Sequence, residues 1–479
     1  MKQIATLLTI FFFAGMCHAQ NKITFPANKV VPSQRQIEHQ EMEIVGFIHF
    51  SVNTFTNREW GTGKENPDIF NPTHLNAHQW AEVAKEGGIK LLILTAKHHD
   101  GFCLWPSKYT NFSVKSSPWE NGKGDVVKDL SVACRQVGIK FGLYLSPWDM
   151  HEPTYGTPAY ITHYTNQLRE LLTEYGPISE FFFDGAKSPE YQKKSIYDFP
   201  KWWGMIRKLQ PQCIIFSDIG PDVRWIGNER GFAGKTNWSM FSPEREGIGK
   251  THNPYQNQGD PYGTKWVTGE CDVSIRPGWF NHPSQDSLVK SPQELVDLYY
   301  KSVGRNGVLL LNLPPNKEGL ISAPDIKSVK EFHAILQATF AHNLAQTGNV
   351  KPSSIYRNSN QFAGERILDK KPEDTFWAAD PSDNKPVLTI DMPKPVTFDR
   401  IMLQEPIKYG QRIAAFAVQA FMDGRWQDIA GGTTIGYKRL LRIKPVTASQ
   451  VRIIFLSYNN TPALSNFGLY EASPLEGKP

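Results

Sequence analysis

The sequence has few cysteines and no dense cysteine pattern. Only 5 of its 479 residues are Cys, and the spacing of Cys103, Cys134, Cys213 and Cys271 fits neither a zinc site nor a disulfide framework. Cys134 falls within a helical pattern, and Cys213 opens an apolar strand. We therefore expect these four cysteines to be buried free thiols.

The sequence also lacks a strong excess of one charge. Lys and Arg number 52 against 47 Asp and Glu, which gives a formal net charge of +5, and the charges do not form blocks. Nucleic-acid binding is therefore not expected. There is no low-complexity tract, and 40% hydrophobic with 21% charged residues is ordinary for a folded soluble protein. A chain of this length predicts two domains.

Long apolar runs are missing except at the N-terminus. The apolar residues 4–16 follow a positive charge and are fewer than the roughly 20 that a membrane-spanning helix needs. This pattern predicts a signal peptide, residues 1–19, cleaved before Gln20, and an exported protein in the periplasm or outside the cell. The alternative is a lipoprotein anchored through Cys17, which Met16 directly before it disfavours. The oligomeric state cannot be derived from the sequence.

Residues 44–343 alternate apolar strand-like segments with amphipathic helical ones. Asn76 and Asp125 stand where helix N-caps are expected, and a capping box begins at Ser291. The predicted strands include residues 44–51, 90–98, 140–146, 178–184, 213–218 and 307–313. Such alternation favours a parallel sheet with helical crossovers. The number of repeats predicts an α/β fold with a closed (β/α)8-like barrel, from which one or two outer helices are missing in the poorly patterned residues 220–290.

Beyond about residue 350 the pattern changes to short alternating strands. Turn signals such as Asp423-Gly424 separate them. The predicted strands are residues 386–391, 398–403, 413–421, 426–429, 438–443 and 450–456. This pattern predicts a C-terminal antiparallel β-sandwich. The predicted organisation is a barrel over residues 20–346, a linker over 347–360 and the sandwich over 361–479.

Ionisable and aromatic side chains follow the predicted barrel strands. They are His49, Asn53, Glu59 and Trp60 after the first strand, Lys97, His98, His99 and Asp100 after the second, Tyr144, Trp148 and Asp149 at the third, and Asp184 after the fourth. In an α/β barrel the reacting groups lie at the carboxyl ends of the strands. This convergence is the main argument from the residues for an enzyme.

Two carboxylates suggest glycoside hydrolysis, which uses a pair of them. Asp184 follows three phenylalanines, and Gly185 behind it leaves the backbone open to a ligand, although a strand-ending aspartate that caps the next turn has the same pattern. Glu229, in the glycine-rich residues 227–234, is the candidate partner. A solvated loop glutamate is the default interpretation of this residue. Local pattern hardly separates it from Glu59, Asp149 and Glu270.

The adjacent His98 and His99 have three interpretations. They are a substrate-binding pair, a structural pair or metal ligands. Adjacent side chains on a strand point to opposite faces, and no spaced His/Glu motif of the HExxH type is present. A metal is therefore not expected here, and substrate binding is favoured.

Taken together, these residues resemble the α-L-fucosidases of glycoside hydrolase family 29. The resemblance covers most of residues 40–315. Its firmest segments are GFIHF at 46–50, LTAKHHDGF at 94–102, FGLYLS at 141–146, FDG at 183–185 and the loop around Glu229. The 12% aromatic content agrees with a carbohydrate enzyme, although a large β-rich core would also explain it.

The resemblance implies a retaining enzyme with Asp184 as the nucleophile. Residues 227–234 match the acid/base loop Gly-Asn-Glu-x-Gly-x-Ala-Gly of one branch of the family, which implies Glu229 as acid/base and a preference for α-1,3/1,4-fucosyl linkages on Lewis-type glycans. It further implies a fucose pocket lined by His49, Glu59, Trp60, His98, His99, Tyr144 and Trp279. No cofactor is implied for catalysis, and the implied partners are fucosylated oligosaccharides or glycoconjugates.

Two other functions remain open at this point. One is an α-L-fucosidase of broad specificity or with α-1,2 preference, which the loop around Glu229 disfavours. The other is a non-catalytic fucose-binding protein, which the presence of both carboxylates disfavours. The C-terminal sandwich resembles the discoidin-like carbohydrate-binding modules over residues 398–401 and 418–429. It is expected to brace the barrel, with glycan binding or a structural calcium ion as alternatives.

Overall fold

The computed structural model describes residues 23–192, 194–249, 254–369 and 375–476. The predicted signal peptide and Cys17 lie outside these ranges. Within them, no helix combines the length and the apolar character that crossing a membrane requires. The other four cysteines are free and buried, as predicted.

Eight parallel strands form a closed barrel in which each strand pairs with its neighbours in chain order. They are β1 Ile44–Ile48, β2 Leu91–Lys97, β3 Lys140–Leu145, β4 Glu180–Phe182, β5 Ile214–Ser217, β6 Val223–Trp225, β7 Thr268–Ser274 and β8 Val308–Asn312. The barrel closes where Ile44 of β1 aligns with Leu309 of β8. The prediction of a barrel is confirmed.

Helices lie before the first barrel strand, on the strand-to-strand connections and after the last strand. They are α1 Gln34–Gln40, α2 Val52–Thr56, α3 Ala77–Glu86, α4 Val126–Val137, α5 Pro158–Glu174, α6 Phe199–Leu209, α7 Pro254–Gln258, α8 Pro292–Lys301 and α9 Ala323–Phe340. Asn76 and Asp125 accept backbone N–H bonds as N-caps, and Ser291 forms its capping box. Residues 218–222 join β5 to β6 without a helix, and the only α-helix in the described part of the next connection is the short α7. The expected loss of outer helices is confirmed.

The C-terminal domain is built on a six-stranded antiparallel sheet. Its strands are β9 Asn349–Pro352, β10 Val387–Gln404, β11 Ile413–Met422, β12 Arg425–Gly432, β13 Arg439–Tyr458 and β14 Asn466–Tyr470. The sheet order is β9-β10-β13-β11-β12, with β14 paired to β10. Two short strand pairs form separate sheets. Trp377–Ala378 pairs with Ala463–Leu464 in the C-terminal domain, and Met240–Phe241 pairs with Lys265–Trp266 on the connection from β6 to β7.

Three boundaries differ from the prediction. The predicted strands 386–391 and 398–403 merge into the single strand β10, which begins at Val387, and 438–443 and 450–456 merge into β13, which begins at Arg439. The strand pairing shifts its register between Asp391 and Val396, where two prolines have no N–H to donate to the neighbouring strand. This local irregularity accommodates the prolines without ending the strand. The proposed linker 347–360 is wrong in part, because β9 lies inside it and pairs with β10.

The C-terminal domain is hydrogen-bonded to the barrel. Arg439 donates to the Lys235 carbonyl at 2.7 Å, and the Asn237 N–H donates to Thr434 Oγ1 at 2.9 Å. Lys438 pairs with Glu43, directly before β1. These contacts fix the domain against the barrel, away from the carboxyl ends of the strands.

Candidate active site

Asp184 lies just beyond β4, at the carboxyl-end mouth of the barrel. Its side chain is 32% exposed. Tyr144, from β3, donates its hydroxyl to Asp184 Oδ2 at 3.1 Å, and the Ala186 N–H donates to Oδ1 at 2.7 Å. One donor on each oxygen fixes the plane of the carboxylate. Asp184 is therefore a held, solvent-accessible carboxylate, and its role is more than capping the next turn.

Gly185 has a different role from the one that the sequence suggested. A Cβ atom at this position would lie 2.4 Å from Asp218 Oδ2. The space beside Gly185 is thus filled by Asp218, which follows β5, and is not open to a ligand. The glycine is required because the Asp218 carboxylate, from the neighbouring strand, lies against the backbone directly after Asp184.

His99 is packed beside Asp184 and is held in one tautomer. Ser146 Oγ donates to the Trp148 carbonyl at 2.7 Å, so it accepts the hydrogen of His99 Nδ1, also at 2.7 Å. His99 Nε2 lies 3.7 Å from Asp184 Oδ2, too far for a hydrogen bond. Burial lowers the pKa of His99 although the charge of Asp184 opposes this effect. A neutral His99 therefore presents Nε2 as a hydrogen-bond acceptor.

His49 is oriented by Asn312, a residue that the sequence analysis missed. Asn312 Oδ1 accepts from His49 Nδ1 at 2.9 Å, while its amide nitrogen donates to the Trp279 carbonyl at 2.8 Å. Burial lowers the pKa of His49 to about 3. His49 is thus neutral, with Nε2 as an acceptor. Asn312 ends β8, so applying the rule of strand ends to the last strand would have found it.

His98 completes a trio of neutral histidines. Its ring centroid lies 4.2 Å from that of His99 and 5.5 Å from that of His49. It stacks on Tyr144 at 6.0 Å. Burial, together with the neighbouring histidines, lowers the pKa of His98 well below its usual value. The packing of the three rings agrees with a surface that binds an uncharged polar ligand.

Glu229 lies on the loop after β6, which needs glycine where the chain turns. Gly227 and Gly231 have φ of 87° and 74°. Trp279 donates its indole N–H to Glu229 Oε2 at 3.3 Å. The Trp279 ring also lies 5.0 Å from the His49 ring. The tryptophan therefore connects the loop of Glu229 to the same mouth that holds Asp184.

Glu59 and Trp60 belong to the wall and the rim of this mouth. Glu59 accepts a hydrogen bond from the backbone N–H of Trp279 at 2.8 Å and pairs with His282. Its carboxylate therefore holds the loop that carries Trp279. Trp60 is 62% exposed, with its ring 5.9 Å from that of Trp148. Trp60 therefore lies on the exposed rim and contacts Trp148, farther from Asp184 than the wall residues.

The other carboxylates that the sequence left as alternatives lie in different settings. Asp149 is buried and accepts from Lys97 at 2.7 Å, as one partner of a buried ion pair. Burial would raise the pKa of Asp149, but the Lys97 ammonium outweighs this effect and lowers it. Glu270 lies inside the barrel at the opposite end, against His39. Neither carboxylate faces Asp184 across the mouth.

Asp218 is a further titratable group at the mouth that the sequence analysis did not select. It follows β5, is 8% exposed and accepts the Gly249 N–H at 2.5 Å. Burial and the nearby charge of Asp184 raise its pKa from 3.8 to about 7. Its position after a barrel strand was visible in the sequence, but its nearness to Asp184 was not.

Replacing Asp218 with asparagine should change the pH dependence of stability. Because the folded-state pKa is raised, the folded protein binds a proton that the unfolded chain releases, and this stabilisation is lost as pH rises from about 4 to about 7. We expect Asp218→Asn to melt several degrees above the wild type at pH 8 and to approach it at pH 5. Scanning calorimetry measures this difference, with the exposed Asp68→Asn as control. An equal difference at both pH values would contradict the prediction.

Among the described residues, one set of three or more His, Cys, Asp or Glu side chains could share an ion, and it lies at the other end of the barrel. His98 and His99 are outside that set. The set contains no residue of the C-terminal domain, where a structural calcium ion, which also uses carbonyl oxygens, stays a prediction.

The mouth of the barrel holds a fixed carboxylate and, on a separate loop, a glutamate, beside a neutral wall of polar and aromatic side chains. This arrangement is that of a barrel glycoside hydrolase. The family model described as alpha-L-fucosidase matches residues 27–339, and that of the F5/8 type C domain matches residues 349–468. The chain therefore belongs to the α-L-fucosidase family, glycoside hydrolase family 29.

Individual relatives agree with this assignment. The chain is 49% identical over 477 residues to Alpha-L-fucosidase 1 of Arabidopsis thaliana, covering 97% of this chain and 94% of that protein. The crystal structure of SpGH29 superposes with a TM-score of 0.90 at 43% identity, covering 94% and 100% of the two chains. A Ruminococcus gnavus GH29 fucosidase in complex with fucose gives 0.88 at 34% identity, covering 95% and 98%.

Proposed function

We propose that the protein is an exo-acting, retaining α-L-fucosidase that releases L-fucose from α-1,3/1,4-fucosylated, Lewis-type glycans. The observation that carries the proposal is the setting of Asp184, whose two oxygens each accept one hydrogen bond, from Tyr144 and from the Ala186 N–H. A carboxylate fixed in this way is suited to attack an anomeric carbon. The fucose complex of the Ruminococcus gnavus relative supports fucose as the sugar.

The proposed reaction has two displacements. First, an Asp184 oxygen bonds to the anomeric carbon while the bond from that carbon to the leaving oxygen breaks, and Glu229 gives that oxygen its proton. Second, the Glu229 carboxylate takes a proton from water, and the water oxygen displaces Asp184 from the anomeric carbon. Each step inverts the carbon, so the first fucose released is the α-anomer.

Recognition of the sugar is assigned to the neutral wall around Asp184. His49 and His99 carry their hydrogen on Nδ1 and present Nε2 as an acceptor, which suits two sugar hydroxyls. The ring of Trp279, near that of His49, offers an apolar surface suited to a 6-deoxy sugar. His98 and Tyr144 add polar edges, Glu59 acts through Trp279, and Trp60 on the rim suits sugars beyond the fucose.

The linkage preference rests on the loop of Glu229. Residues 227–234 match the acid/base loop of the branch that prefers α-1,3/1,4 linkages. An enzyme of broad or α-1,2 specificity is the competing proposal, and a non-catalytic fucose-binding protein is disfavoured because both carboxylates are present. Export, through the predicted signal peptide, and a bracing role for the C-terminal domain complete the proposal.

Proton NMR of the mature protein with a Lewis-type trisaccharide tests the reaction, its linkage and its stereochemistry together. Early signals of free α-fucose are the expected result. Early β-fucose would exclude retention. Release only from a 2-linked fucosyl oligosaccharide or an aryl fucoside would keep the fucosidase and reject the linkage. Binding without release from any of these substrates would favour the fucose-binding alternative.

A further inference from the structure

Three ionisable side chains meet inside the barrel at the end opposite Asp184. His39 belongs to α1, Glu180 begins β4, and Glu270 is in β7, paired with Val308 at the start of β8. His39 is 1% exposed and both glutamates are 0% exposed. The cluster thus joins the helix that precedes the barrel to two barrel strands, and the proposed reaction does not use it.

The side-chain atoms of the three residues lie close to the spacing that one shared ion requires. His39 Nε2 lies 2.8 Å from Glu180 Oε2 and 3.3 Å from Glu270 Oε2, and one ligand atom of each residue lies within 4.8 Å of the others. Bonds of about 2.0–2.2 Å to a tetrahedral ion set neighbouring ligand atoms roughly 3.3–3.6 Å apart. A small outward movement of the three side chains would therefore admit an ion between them.

The carboxylates lack the hydrogen-bond partners that their burial demands. Glu180 Oε1 and both oxygens of Glu270 accept no hydrogen bond from the described residues, and His39 Nδ1 is also unpaired there. Two buried carboxylates facing one imidazole are costly because donors are too few. A divalent cation would balance both carboxylate charges, take the place of the proton on His39 Nε2 and take up the unpaired oxygens.

We propose that His39, Glu180 and Glu270 bind one divalent transition-metal ion of the Zn²⁺ type. One nitrogen and two carboxylates are a ligand set that zinc accepts, whereas calcium requires six to eight oxygens. The ion ties α1 to β4 and β7 and so stabilises the closed barrel. Its distance from the mouth gives it no part in the reaction, and the proposal is independent of the sugar that the protein cleaves.

The test uses the full mature chain purified without metal-affinity chromatography. Elemental analysis should find about one zinc per chain, and removal by a chelator should lower the melting midpoint, which one equivalent of Zn²⁺ restores. Co²⁺ added to the metal-free protein should give the visible absorption of a nitrogen- and oxygen-ligated ion. Absence of bound zinc together with an unchanged midpoint on adding Zn²⁺ would overturn the proposal.

Matched variants separate the cluster from general metal binding. Glu270→Gln should weaken zinc binding by at least about tenfold and abolish the shift of the midpoint. Glu170→Gln is the control, because Glu170 is also buried but accepts from Trp105 and Ser107. Full zinc binding in Glu270→Gln would reject the assignment. If this variant does not fold, zinc binding by His39→Gln and the Co²⁺ spectrum of the wild type show whether the cluster binds the ion.

Discussion

Asp184→Ala should lower kcat for a Lewis-type trisaccharide by at least about a thousandfold, because the covalent intermediate cannot form without the carboxylate. Tyr144 and the Ala186 N–H, which hold Asp184, remain in place in this variant. The fold and the binding of fucose should therefore survive. Fucose release measured by NMR, with binding measured by calorimetry, separates loss of chemistry from loss of the site.

Azide adds a stereochemical readout to this prediction. In Asp184→Ala a small anion can enter the vacated space and attack the anomeric carbon once, which should give β-fucosyl azide from an activated aryl fucoside. Asp198→Ala, which removes only the N-cap of α6, should keep normal activity. Near-normal turnover by Asp184→Ala would reject Asp184 as the nucleophile.

Glu229→Ala should have the second-largest effect, and its size should depend on the leaving group. A sugar alcohol needs the proton that Glu229 donates, so we expect kcat on the trisaccharide to fall by about 10²–10⁴-fold. An activated aryl fucoside leaves without that proton, and its first step should be largely spared. Steady-state kinetics on both substrates measures the difference.

Azide should rescue Glu229→Ala with the opposite stereochemistry. The fucosyl-enzyme still forms on Asp184, azide attacks it without needing a base, and the product should be α-fucosyl azide. Glu318→Ala, an exposed glutamate in a turn, is the matched control. Equal losses on both substrates with no rescue would leave Glu229 as a binding residue and move the acid/base role elsewhere.

The contrast between the two azide products makes the assignments independent of each other. The β-azide reports an open space on the side of the sugar that faces Asp184, and the α-azide reports an intact covalent intermediate. A protein that only binds fucose would give neither product. The two variants therefore test the proposed mechanism and distinguish it from the alternative of another class.

Much of the barrel was predictable because local pattern and tertiary role agree there. The strands β1 to β5 and β8 are buried, largely apolar segments. The helix N-caps at Asn76, Asp125 and Ser291 form as the sequence suggests. The rule that chemistry follows strand ends then located Asp184, His49 and the His98-His99 pair. These residues could be selected because their positions depend only on where a strand stops.

The strands β6 and β7 escaped prediction for a physical reason. Residues Val223–Trp225 form too short a segment for any period to be visible. Residues Thr268–Ser274 carry Glu270 and Asp272, so the run looks polar, yet all seven are buried inside the closed barrel. Their burial depends on partners elsewhere in the chain, which a local window does not contain.

The sequence by itself determined the strands β1 to β5 and β8 with the helices between the first five of them, the change to antiparallel strands near residue 350 and the side chains that follow the first four barrel strands. Only the tertiary structure decided which of them meet. It put Asp218 beside Asp184, Asn312 on His49, Trp279 on Glu229, and Glu270 against His39 at the far end. Local pattern reports the period and the ends of an element, whereas closure of the barrel fixes the contacts between residues far apart in the chain.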